Sequence, residues 1–394
     1  MPASAPVLAY LAEQQVHVAR ADGTTEPVTS KFVEDVRRRE ASIQRKTAWK
    51  TQGTGARFMG AAALWDDGQA RRQPAFFTCV STGRRRGEIL YALTTGVVSG
   101  IFAYDVATGE ETRLAHDADG TAVALATSDD HTVVAMTRRH KNGSCNIAVM
   151  RDEGGDSALV TDGDTIDGAP SWVPVGPEVK EGRHQLVYPC AGIGRDAAGH
   201  LAGFGPNEIN LLDAEHGSLR TIVSDPKHDY LAPRMTRDGT LFAMRRPYRA
   251  GPAGPDPATM MKDGLLAPFR LMYAGFRYLD FFSMKYAGKP LTTSGNTKGR
   301  NVDARRLLER QNVAAAGDGE GDEESMRAPS DWVLVRRSPE GDEKVVASSV
   351  VAYDLALDGS ILTTDGMAIH RTGADGSAPR KITAAKLVAS IVAL

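Results

Sequence analysis

Cysteine is scarce. The 394 residues hold three, Cys79, Cys145 and Cys190, widely spaced and odd in number. No CxxC pair and no Cys/His pair at ligand spacing occurs, which argues against a disulfide framework or a zinc site. Neither sign of charge dominates. Lys plus Arg number 47 against 49 Asp plus Glu, so the net charge of −2 provides no broad field for nucleic acid or an anionic membrane. No uncharged apolar run reaches the length that crosses a bilayer. The start, "MPASAPVLAYLAEQQVHVAR", lacks a basic segment followed by an apolar one, so the expectation is a cytoplasmic protein without a leader.

The motifs of common enzymes are missing too. There is no GxSxG elbow and no GxxxxGK[ST] loop. "SGNTKGR" (294–300) and "QGTGAR" (52–57) are glycine-rich only. Nine histidines are scattered without HxH or HxxxH spacing. "TDGDTIDG" (161–168) brings Asp162, Asp164 and Asp167 together, but lacks the spacing and distal Glu of a calcium loop, and reads as a turn. The sequence therefore assigns no catalytic residue, no metal and no cofactor.

Glycine is what the chain has most of in excess, 40 residues, with 20 prolines. A strand, a polar Gly turn and a second strand ending near Ser, Thr or Asp recur six times. The copies are "QVHVARADGTTEPVTS" (15–30), "IFAYDVATGEETRLAHD" (101–117), "NIAVMRDEGGDSALVTD" (146–162), "EINLLDAEHGSLRTIVSD" (208–225), "WVLVRRSPEGDEKVVASS" (332–349) and "MAIHRTGADGSAPRKITAA" (367–385). Period-2 alternation around a Gly turn is the pattern of a hairpin. Further turns, "LWDDGQ" (64–69), "ATSDDHT" (126–132), "MTRDGT" (235–240) and "LALDGS" (355–360), predict a second hairpin before several copies.

Two hairpins make a four-stranded unit, and six units predict an all-β, six-bladed β-propeller occupying 1–394 as one domain. The first copy is preceded by only one strand, "VLAYLAE" (7–13), while "KLVASIVAL" (386–394) follows the last as a spare. The expectation is that the C-terminal strand completes the N-terminal blade and hides an open edge.

Strand, Asp-Gly, strand, then "YDVATGEETRL", resembles the repeats of TolB-like and, more loosely, WD-repeat-like propellers, a pattern related to the propeller domains of prolyl-oligopeptidase-type enzymes. The Trp-Ser-Pro-Asp-Gly run usual in TolB-like repeats is degenerate here: "SWVPVGPE" (171–178) keeps the Trp and Pro, and "RMTRDG" (234–239) only the Asp-Gly. The resemblance implies a fold and does not specify an activity. Propeller enzymes of the lactonase type assemble sites from one residue per blade, so a hydrolase or lyase with a channel site stays open as an alternative.

The repeat is interrupted at one place above all. Gly341 and Gly376 are 35 residues apart, one compact blade, but Gly217 and Gly341 are 124 apart. The excess falls at 249–330, between the second and third strands of the fifth blade. Within it, 265–288 is the most aromatic stretch of the chain. Leu265, Phe269, Met272, Phe276, Leu279 and Tyr286 form one helical stripe, with Leu271, Tyr273, Tyr278, Phe281 and Phe282 off it. A helix apolar nearly all round must be covered on more than one side. Its own propeller, a partner protein or second copy, and a membrane surface with Arg270, Arg277 and Lys285 snorkelling are the three coverings open.

The expected partner-binding residues are Leu265, Phe269, Met272, Tyr273, Phe276, Arg277, Leu279, Phe281 and Phe282. The expected role is a non-catalytic interaction platform or subunit of a larger assembly, with no nucleic-acid partner. A smaller insertion, 30–50, predicts a basic helix capped by Ser30, with Val33, Val36 and Ile43 as a thin apolar stripe. It is either a solvated helix or a docking site for an acidic partner. "GRRRGE" (83–88) predicts an exposed loop.

Overall fold

The computed structural model describes residues 6–51, 75–95, 98–174, 185–195, 201–213, 218–249 and 327–394. Strands β1 (Pro6–Ala12), β2 (Gln15–Arg20) and β3 (Thr25–Pro27) form an antiparallel sheet, followed by helix α1 (Lys31–Thr51). The second sheet runs β4 (Phe76–Thr82), β5 (Glu88–Thr94), β6 (Ser99–Asp105), β7 (Glu111–Asp117). Next come β8 (Gly120–Thr127), β9 (Val133–His140), β10 (Cys145–Arg151) and β11 (Ala158–Leu159), then β12 (Thr165–Asp167), β13 (Ser171–Trp172), β14 (Gln185–Arg195), β15 (Leu201–Phe204), β16 (Glu208–Asp213) and β17 (Ser218–Val223). The last two sheets are β18 (His228–Met235), β19 (Leu241–Pro247), β20 (Val333–Arg337), β21 (Glu343–Ser348), and β22 (Ala352–Leu355), β23 (Ile361–Thr364), β24 (Ala368–Thr372), β25 (Arg380–Ala384). The final strand, β26 (Val388–Ala393), pairs with β1 from Leu8↔Ala393 to Ala12↔Val388, so the first and last described strands share one sheet.

One expected turn lies outside the described residues, and two others gain detail. "LWDDGQ" lies outside the described residues, and the turn between the first two strands of the second sheet is "GRRRG". That turn is not simply a loose loop: Arg84 binds Glu88 through Nε and Nη2, both at 2.9 Å, and reaches the Asp152 carbonyl at 3.0 Å, while Arg85 and Arg86 are exposed. "TDGDTIDG" is more than a turn. β12 within it pairs parallel to β10 and antiparallel to β14, joining β8–β17 into one ten-stranded sheet. The buried Asp167 carboxylate holds that bridge by accepting the Thr161 hydroxyl at 2.5 Å, and Thr161 Oγ1 accepts the Ile147 amide at 2.8 Å.

Six of the Gly turns share one geometry. In 20–24, 140–144, 236–240, 338–342, 356–360 and 373–377 the first amide bonds the fifth carbonyl, and the fourth residue, a glycine at φ between 81° and 102°, donates to the first carbonyl. This is a type I turn followed by a left-handed residue, the three-residue hairpin loop that glycine permits without strain. Where the sequence reads Asp-Gly-Ser or Asp-Gly-Thr, the carboxylate accepts from the residue two ahead. Asp22 takes the Thr24 amide at 2.9 Å, Asp358 the Ser360 amide at 3.0 Å and Asp375 the Ser377 amide at 2.9 Å. The side-chain hydroxyls of Thr24, Ser360 and Ser377 first, and these amides second, hold the three carboxyls below their ordinary range.

Alternation distributes the core between seams. On β5, Ile89, Tyr91 and Leu93 pack against the first sheet, and Leu90 and Ala92 against β8–β10. β20 divides likewise, Val333 and Val335 towards β14 and β16, Leu334 towards β22 and β23. Central strands are therefore buried on both faces, which period-2 alternation of polarity alone does not anticipate. Hydrogen bonds cross the seams as well. Thr78 donates to the Ala122 carbonyl at 2.6 Å, Trp172 Nε1 to Ala126 at 2.9 Å, and Tyr353 to Ala232 at 2.7 Å. The packing of β26, β4, β8, β13, β18 and β22 runs in that order and returns from β22 to β26.

Helix α1 is fixed by its first turn. Ser30 Oγ accepts the Val33 amide at 3.3 Å, a helix cap, and donates to Glu111 at 2.6 Å. The Glu111 carboxylate also accepts the Phe32 amide at 3.1 Å and the hydroxyl of buried Tyr91, whose ionisation is pushed up first by burial and then by that carboxylate. Phe32 packs at a tilt against Phe102, 5.2 Å between ring centroids, and Val33 is buried. Glu111→Ala removes three donors' acceptor and strands the Tyr91 hydroxyl. The expected loss is about 2–3 kcal/mol in urea unfolding, with faster tryptic cleavage at Arg37–Arg39. Unchanged stability and cleavage would show that the helix is held elsewhere. No helix among the described residues is long and apolar enough to cross a membrane.

Candidate interaction site

The expected contact residues, Leu265, Phe269, Met272, Tyr273, Phe276, Arg277, Leu279, Phe281 and Phe282, lie outside the described residues. What the structure does describe is the base from which their segment leaves and to which it returns. β19 and β20 pair directly, Leu241↔Arg337 to Arg245↔Val333, so the chain departs after Pro247 and comes back beside its point of departure.

In "LFAMRRP" the alternation puts Phe242, Met244 and Arg246 on one face and Leu241, Ala243 and Arg245 on the other. Arg246 therefore falls on a core face. Its partner is Asp229, directly opposite on β18, with Nε to Oδ2 at 3.1 Å and side chains 10% and 7% exposed. A buried ion pair holds only when its remaining polar atoms are satisfied. Here Asp229 Oδ1 accepts both the backbone amide of Asn207 at 2.9 Å and its side-chain amide at 3.1 Å. The guanidinium of Arg246 lies 5.0 Å over the ring of Trp332, the residue just before the returning strand.

Neighbouring bonds stiffen both ends. The Tyr248 amide donates to Lys227 at 2.8 Å and its hydroxyl to the Phe204 carbonyl. On the return, the Ala328 amide donates to Asp365 at 2.9 Å, and Ala328, Trp332 and Val351 pack together. On the opposite face Glu343 collects Arg245, Arg337 at 3.8 Å and the Tyr230 hydroxyl at 3.1 Å; burial, then that carboxylate, pushes Tyr230 up to about 12. The repeat pattern does not point to this root. A charged residue in phase with Phe242 and Met244 was the available signal, but its partner, 17 residues away, carries none.

Two other polar clusters are present. Asp117 and Arg138 form a two-point ion pair at 2.7 and 3.0 Å beside a shallow cavity of about 220 Å³ lined by Ser99, His116 and Ser157. Cys190 sits beside Asp167; burial, then that carboxylate, holds its thiol well above its ordinary range, the opposite of an activated nucleophile. Cys79 is likewise pushed up to about 12 by burial. Among the described residues no three His, Cys, Asp or Glu side chains are placed to hold a metal.

No family model matches the sequence, and no curated protein matches it. Among solved structures, a chain of a nidogen–laminin complex aligns with a TM-score of 0.50 and 8% identity, over 99% of this chain and 98% of that one. TolB from Acinetobacter baumannii aligns with a TM-score of 0.47 and 11% identity over 98% of this chain, which spans 66% of the TolB chain. An oligogalacturonate lyase in complex with manganese aligns at 0.39 and 9% identity, over 76% of this chain and 62% of that one. At such identities the likeness concerns fold: the chain is an all-β protein that resembles TolB-like β-propellers.

Proposed function

We propose that this chain is a six-bladed propeller, with β26 completing the N-terminal blade, and that it works as a non-catalytic interaction platform or structural subunit. In this reading β8–β11 and β12–β17 are two blades bridged through β12, and the inner strands close on themselves through β22 and β26. The contact element is the 249–330 insertion, and its aromatic residues meet a partner protein or a second copy in the cytoplasm.

The observation that carries the proposal is the root. Burying an Arg–Asp pair costs several kcal/mol of desolvation, which two extra donors and an aromatic face offset here. Such a clamp, placed where the insertion departs and returns, supports a segment presented in a set direction. The test is deletion of 262–290. The expected result is unchanged β-sheet circular dichroism and unfolding, with loss of the native mass in light scattering or of a co-purifying partner. A deletion protein with the same mass and the same partners would sink the proposal.

A further inference from the structure

Clamped at its first turn, α1 is a basic helix of 21 residues, about 31 Å long. Arg37, Arg38, Arg39, Arg45 and Lys46 are exposed. Lys31, Arg38 and Arg45 recur every seven residues and so share one stripe, about 10 Å apart along the axis. Three acidic residues of the helix, Glu34, Asp35 and Glu40, stand against seven Lys and Arg; Asp35 meets Arg38 at 3.3 Å with both side chains more than half exposed, a weak pair. Phe32 and Val33 are turned into the core, so neither supplies the exposed apolar face a membrane-surface helix needs. The basic stripe calls for carboxylates or phosphates on an extended partner.

The chain itself holds such a partner. "GDGEGDEES" (317–325) has Asp318, Glu320, Asp322, Glu323 and Glu324 and no basic residue. This run lies outside the described residues, and it ends two residues before Arg327, where the described chain resumes and Arg327 meets Asp365 at 3.7 Å. Within one chain a tether that spans two sites raises the effective concentration of one for the other, which no free acidic segment shares.

We infer that the basic stripe of α1 docks the acidic run 317–325 of the same molecule. Charge complementarity carries the assignment, and it does not rest on what the aromatic segment binds.

The experiment is zero-length carbodiimide cross-linking of the full chain, mixed equally with its ¹⁵N-labelled form, read by peptide mass spectrometry. Expected are links from Lys31 or Lys46 to carboxylates at 318–324, within one isotope form. Their yield should fall about fivefold between about 0.05 M and about 0.5 M salt, where surface pairs are screened. It should fall similarly in Arg38→Glu/Arg45→Glu, whose exposed positions leave folding intact by circular dichroism. Deleting 262–290 should leave the links in place, which separates this inference from the platform proposal. Links only between isotope forms would assign the stripe to a second copy. Absent or charge-insensitive links would overturn the inference, and binding of duplex DNA or phosphatidylserine vesicles in their place would give the stripe to phosphates.

Discussion

Asp354→Ala is expected to destabilise the protein by about 3 kcal/mol, the scale of breaking a largely buried ion pair by removing one partner. Asp354 is on β22, with its side chain 14% exposed. One oxygen accepts Arg234 Nε of β18 at 3.3 Å, and the other accepts the Ala393 amide of β26 at 2.9 Å. A single carboxylate thus ties three strands from three sheets, one of them the strand that carries the C-terminus. The loss should be local in its first expression. Hydrogen exchange of β26 amides should accelerate more than that of β9, which lies in another seam. Asp354→Asn keeps one acceptor and should cost about half as much. Equal acceleration across β26 and β9, or no change in stability, would mean that the pairing of β26 with β1 is sufficient without this carboxylate.

The second large effect concerns two glycines of the repeated hairpins. Gly376→Ala is expected to cost about 3 kcal/mol, whereas Gly359→Ala, in the same kind of turn, should cost about 1 kcal/mol. Both have φ near +80°, so both incur the left-handed penalty of a side chain. They differ in what a methyl group would meet. At Gly359 nothing lies within 4 Å, but at Gly376 the new carbon would stand 2.3 Å from the Val346 carbonyl of β21. Gly154 repeats the arrangement, with the Leu114 carbonyl of β7 at 2.4 Å, and Gly154→Ala should behave like Gly376→Ala. In both places a turn leans on the outer strand of the preceding sheet. Chemical denaturation of the three variants decides the matter: equal losses would show that backbone conformation alone, and not contact between sheets, selects these glycines.

The glycines show how far the sequence reaches. It identifies "ADG" at 374–376 and "LDG" at 357–359 as turns, and the two turns share one hydrogen-bond pattern. It does not distinguish the glycine that touches a neighbouring sheet from the one in open space. The basic helix at 30–50 is legible from Ser30 and the stripe of Val33, Val36 and Ile43, and Val33 is buried. Glu111, which fixes the helix from 81 residues away, was read only as part of a repeat. Likewise Arg246 is a charge in phase with Phe242 and Met244, but nothing in "HDYLAPRM" marks Asp229 as its partner.

The sequence by itself determined the strands, the Gly turns between them and the place where the repeat is broken. These follow from interactions among residues within about five positions of one another, which a chain reads out wherever it is placed. The tertiary structure alone decided which faces are doubly buried, how β12 bridges β10 and β14, where the seam bonds fall, and that the two ends of the insertion meet over a buried Arg–Asp pair. Those depend on the rotation of one sheet against the next. That rotation is set by side chains tens of residues apart, whose meeting leaves no period in the chain.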